Sequence, residues 1–130
     1  MSPLRFFPAF ALLALAPAAA VGQQRWTTLL DADGVRADLD LGQVDRSGEY
    51  PRVTLRWFAG GRDGLFTEEL QEVDCAVPRV RLLETLRYQR DPDGDHLVAH
   101  AGITPAWTRY IETTVEGRVL AATCEALKPT

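Results

Sequence analysis

The sequence predicts an α+β domain: an antiparallel sheet of five or six strands with one C-terminal helix packed on it and tethered by a disulfide. Three observations predict it. Apolar and polar residues alternate with period two in short runs separated by turn signals, from Trp26 to Ala101. After Glu112 the apolar spacing changes to three and four residues, the period of a helix. The chain's two cysteines, Cys75 and Cys124, fall one in each kind of segment.

The first 22 residues read as a secretory signal peptide rather than as part of the fold. Arg5 is the basic n-region, Phe6 to Ala16 the apolar core, and the small residues from Ala18 to Gly22 the cleavage site. The apolar run is broken by Pro8 and Pro17, and a spanning helix needs about 20 apolar residues, so no integral membrane segment is expected in the mature form. Residues 23–130 then form one domain with one modest core. Without Arg5 the chain has 13 basic and 18 acidic residues, a net charge of −5, which speaks against nucleic acid as a partner.

Trp26 to Leu30 suits a strand, and Asp31-Ala32-Asp33-Gly34 supplies the turn after it. Val35, Ala37, Leu39 and Leu41 then share one face, with Arg36, Asp38 and Asp40 on the other. A turn at Asp45-Arg46-Ser47-Gly48 leads to a third strand, where Val53, Leu55 and Trp57 alternate with Arg52, Thr54, Arg56 and Phe58. Gly60-Gly61-Arg62-Asp63-Gly64 is a loop. Leu65 to Val73 is assigned to a strand, although Glu68 to Glu72 would suit a helix on propensity alone.

After Pro78 the longest strand candidate runs from Arg79 to Gln89. Here Val80, Leu82, Leu86 and Tyr88 share a parity opposite Arg79, Arg81, Thr85 and Arg87. Asp91-Pro92-Asp93-Gly94 turns the chain into a returning strand from His96 to Ala101, and Thr104-Pro105-Ala106-Trp107 opens the last region. Val115, Val119, Leu120, Thr123, Cys124 and Leu127 form one stripe of the helix.

Two cysteines in an exported chain most simply form one disulfide, and their 49-residue separation is unlike a C-x-x-C redox pair. Other constellations are weak. His96 and His100 would lie about 13 Å apart on a strand, too far to share a zinc ion, so no metal is expected. Asp91, Asp93 and Asp95 resemble the start of a calcium loop, but Gly102 occupies the closing position where such a loop needs glutamate. Ser47, the one serine after the signal, has no nucleophile-elbow pattern around it. No catalytic residue and no cofactor are expected. Arg52 and Arg56, with Arg79, Arg81 and Arg87, form a candidate binding patch for carboxylates or sulfates, unless cross-strand acids balance them.

Val73-Asp74-Cys75, then Tyr88, Gly94, Trp107 and Cys124, resemble the bacterial surface-adhesin protein E-like family, as do Trp26 and the aspartate-bearing strand Val35 to Leu41. The resemblance runs over residues 25 to 127 and rests mainly on the cysteine pair. It implies an antiparallel sheet with a disulfide-tethered C-terminal helix, an exported location and, as in the founding adhesin, attachment to host matrix and plasma proteins. The anchoring cysteine of that lipid-anchored adhesin has no counterpart near the expected cleavage site. The resulting expectation is an exported, non-enzymatic binding domain with a host matrix or bacterial envelope protein as partner, in the periplasm, on the cell surface or secreted. The alternative is a periplasmic inhibitor or accessory subunit of a cell-envelope enzyme. An open sheet edge would also permit a homodimer.

Overall fold

The computed structural model describes residues 25–60, 64–103 and 106–129. The expected signal peptide lies outside the described residues, as do Gly61, Arg62 and Asp63 of the glycine loop and Thr104 and Pro105 of the later one. Seven strands form one sheet: β1 (Trp26–Ala32), β2 (Val35–Asp40), β3 (Arg52–Ala59), β4 (Leu65–Asp74), β5 (Arg79–Asp91), β6 (Gly94–Gly102) and β7 (Trp107–Thr108). The first six follow one another as an antiparallel meander, and β7 pairs with the start of β5 beside the end of β6. One α-helix among the described residues, α1 (Val115–Ala126), follows.

The turns form where their chemistry predicts. Asp33 and Gly34 both take positive φ, 56° and 76°, as a two-residue hairpin requires. Asp45 accepts hydrogen bonds from the backbone N–H and hydroxyl of Ser47, and bridges to Arg52 at the start of β3. Thr114 caps α1 by accepting from Gly117 N, while its hydroxyl donates to Ile111 O. A side chain at position 117 would collide with the Ile111 carbonyl, so the glycine allows the preceding turn to lie tight against the helix.

Alternation sends one apolar set to one side. Ala37, Leu39, Val53, Leu55, Val73 and Val80 bury against Val119, Leu120 and Leu127 of α1. The predicted helix stripe is the buried one. Cys75, just beyond β4, bonds Cys124 with the Cα atoms 5.7 Å apart. Arg46 Nη2 donates to the Leu127 carbonyl at the same, C-terminal end of the helix, a favourable position for a cation.

β4 is a strand, as assigned, because pairing with β3 and β5 on both sides outweighs the helical propensity of its glutamates. Three details differ from the expectation. Leu41 leaves the β2 alternation to begin a short 3-10 turn and is exposed. The strand β7 was not predicted, being only two residues long. In β5 the alternation reverses: the register shifts so that Leu82 faces Gln71 while Glu84 faces Leu70. One extra residue flips every later side chain. Val80 and Leu82 therefore point towards α1, whereas Leu86 and Tyr88 share the opposite face with Arg79 and Arg81, and Arg87 moves to the helix side.

Leu55 is 1 % exposed at the centre of the core. Leu55→Ala is expected to lower unfolding free energy by about 2–5 kcal/mol in urea denaturation; a change within experimental error would show that the core does not close around this position. The Cys75→Ser/Cys124→Ser pair is expected to lose roughly 4 kcal/mol, the chain-entropy value for a loop of this length, with the folded circular dichroism spectrum retained at low temperature.

Candidate binding face

The sheet face turned away from α1 is built from the polar half of each alternation, and it holds two arginine–aromatic clusters. In the first, β-register brings Arg36, Phe58, Phe66 and Tyr88 into one cross-strand row, and Asp38, Arg56 and Glu68 into the next. Phe58, Phe66 and Tyr88 stack in series, with centroids 5.2 Å apart at each step. Arg56 lies between two rings, 4.0 Å from Trp26 and 5.1 Å from Phe66, and its Nε donates to Glu68. Arg36 covers Phe58 at 4.1 Å, and Arg90 lies over Phe66 while donating to Asp95.

The second cluster occupies the other end of the same face. Glu72 accepts from both Arg52 and Arg81, at 3.2 and 2.7 Å. Arg79 donates to Asp74 and reaches the Tyr50 hydroxyl. Trp107, placed by the pairing of β7 with β5, meets Tyr50 edge to face at 4.8 Å. The guanidinium groups of Arg79 and Arg81 lie 4.3 and 4.5 Å from its ring. The buried carboxylates of Glu72 and Asp74 pair with these three arginines, and Asp45 lies within electrostatic reach of Arg52.

The electrostatics follow from these partners. Burial works against the charge of Asp74, yet the backbone N–H groups of Val77 and Ala76 and the Arg79 guanidinium outweigh it and hold the carboxyl below its ordinary range. The hydrogen bond from Arg90 lowers Asp95 and raises Arg90. Asp45 is lowered by the Ser47 hydroxyl. Burial, with Glu68 nearby, raises Tyr88.

Of the predicted patch, Arg52, Arg79 and Arg81 come together in the second cluster, and Arg56 belongs to the first. Each pairs with a cross-strand or neighbouring carboxylate. Arg87 is not with them: it faces Thr67 on the helix side, because of the β5 bulge. The residues missed were Tyr50 and Trp107, which come from a loop and an unpredicted strand. His96 and His100 pair with Gln89 and Leu86, which point to opposite faces, and each histidine lies beside its own carboxylate, Asp91 and Glu84. Among the described residues no group of three or more His, Cys, Asp or Glu is placed to hold a metal ion. Asp91 instead accepts from Asp93 N within the hairpin turn.

Fold and face together define an α+β domain: an antiparallel meander backed by one disulfide-tethered helix, with an arginine–aromatic outer surface. No helix among the described residues is long and apolar enough to cross a membrane. Comparison with known proteins gave no match: no family model, no curated protein and no solved structure matches the chain.

A carboxyl whose folded pKa is depressed contributes stability that is fully present above the unfolded value, about 3.9 for Asp, and lost as pH falls through the folded value. Asp45, Asp74 and Asp95 are all of this kind. The urea midpoint is therefore expected to be flat from neutral pH to about pH 5 and to fall below about pH 4. Asp74→Asn should be less stable at neutral pH and show a shallower acid loss; an unchanged acid slope would assign that loss to other groups.

Proposed function

We propose that the protein is an exported, non-enzymatic binding module whose outer sheet face takes a protein partner. The observation that carries this reading is the corner formed by Tyr50, Trp107, Arg79 and Arg81, where two guanidinium groups cover one half-buried indole. Tryptophan, tyrosine and arginine are the residue types that dominate binding energy at protein interfaces. Here cross-strand carboxylates and ring contacts already hold the arginines in position, so docking would immobilise few additional side chains. The guanidinium N–H groups of Arg79 and Arg81 suit a segment of the partner that carries carboxylates. Export is supported by the signal-like N-terminus and by the disulfide, which persists in oxidising compartments. The resemblance to surface-adhesin protein E-like domains favours adhesion to a host matrix protein, and a bacterial envelope enzyme is the alternative partner.

The test immobilises the oxidised protein and challenges it with purified matrix and plasma proteins and with an envelope extract of its own cells. Captured proteins are identified and their affinities measured. Trp107→Ala and Arg81→Ala are each expected to weaken an identified complex by at least about 2 kcal/mol, roughly thirtyfold. Arg52→Ala, at the exposed rim, should weaken it less. A matrix protein would make the module an adhesin, and an envelope enzyme would make it an accessory or inhibitory subunit. Binding that survives both central substitutions in folded variants would overturn the assignment to this face.

A further inference from the structure

On the other side of the sheet, beside the first turn of α1, a cavity of about 130 Å³ opens between helix and strands. Leu55 and Val119, each 1 % exposed, belong to its floor. Trp57 and Tyr110 supply aromatic walls, and Glu69 and Glu116 supply carboxylates. No arginine, lysine or histidine lines it among the described residues. The Glu69 carboxylate is fixed: Trp57 Nε1 and Gln71 Nε2 both donate to Oε2, at 3.2 and 2.6 Å, and Oε1 has no donor among the described residues. Glu68, the next residue but on the opposite face, has Arg56; neither Glu69 nor Glu116 has such an ion pair among the described residues. Burial raises the Tyr110 hydroxyl pKa, and the charges of Glu69 and Glu116 add to that rise, so both carboxylates are felt at the same wall.

An apolar floor, two aromatic side chains and two carboxylates with no cation among the described residues suit one chemistry. An aliphatic stem would bury against Leu55 and Val119 while its ammonium group meets the carboxylates beside the aromatic walls. The volume matches a single side chain, since a dry cavity of about 150 Å³ takes one benzene. The chain's own lysine, Lys128, is held by Glu125 beyond the last turn of α1. We propose that this cavity is a binding site for the ammonium group and stem of a lysine side chain on a protein partner. The site is separate from the outer face and does not depend on that reading.

The test follows the Trp57 indole N–H by NMR while Nα-acetyl-lysine N-methylamide is titrated into the oxidised protein, with the norleucine analogue and 1,5-diaminopentane as comparison probes. The blocked lysine is expected to shift that resonance saturably, with Kd on the order of 1–10 mM, the range for one small group. The norleucine analogue, with the same stem and no charge, should bind at least about tenfold more weakly, as should the blocked lysine to Glu69→Gln. Glu116→Gln, on the exposed helix start, provides a second variant with little risk to folding and should also weaken binding. Trp107→Ala on the outer face should leave the titration unchanged. Absence of a saturable shift, or equal binding of lysine and norleucine probes, would overturn the proposal. Binding of diaminopentane more than about tenfold tighter than the blocked lysine would overturn the protein-lysine assignment in favour of a free diamine.

Discussion

The bond between Cys75 and Cys124 holds α1 against the apolar side of the sheet. It joins the residue just beyond β4, a central strand, to the last part of α1, so the only α-helix among the described residues is committed to one face. Burial of Val53, Leu55 and Val73 under Val119, Leu120 and Leu127 follows from that placement. The bond also encloses β5, β6, β7 and most of α1 in one loop, which restricts the unfolded chain most strongly in the segments that carry Trp107 and Tyr110.

With one face covered, the other must satisfy its polar groups through its own side chains. It does so in cross-strand rows, with Arg56 on Glu68, Arg52 and Arg81 on Glu72, and Arg79 on Asp74. Partly exposed ion pairs of this kind contribute at most about 1 kcal/mol each. Their larger consequence is geometric. The guanidinium groups of Arg56, Arg79 and Arg81 also lie 4.0, 4.3 and 4.5 Å from a neighbouring ring centroid, which helps to position ring and cation together. The proposed binding role is assigned to this surface.

The two sites also differ in chemistry. The outer corner holds guanidinium groups paired with carboxylates, whereas the cavity beside α1 has carboxylates and no cation among the described residues. One sheet separates them: Glu68 and Glu69 are adjacent in β4, yet one belongs to each side. The two proposed sites would therefore select different chemical groups.

Features set by neighbouring residues were legible in the sequence: the period-two strands, the Asp-Gly turn at Asp33, the turn at Asp45, the helix stripe from Val115 to Leu127 and the cysteine pair. Each depends on local propensity or on a choice with one partner. The tertiary structure alone decided the rest. The bulges near Leu82 and Val98 arise only when two particular strands are matched, because an extra residue in one strand has no meaning without the register of the other. Those bulges separate Arg87 from Arg79 and Arg81 and put His96 and His100 on opposite faces. Tyr50 and Trp107 lie 4.8 Å apart in space but far apart along the chain, and no sequence period links them. The alternation determined which residues could share a face; only the register, set by hydrogen-bonded pairing across the whole sheet, determined which ones meet.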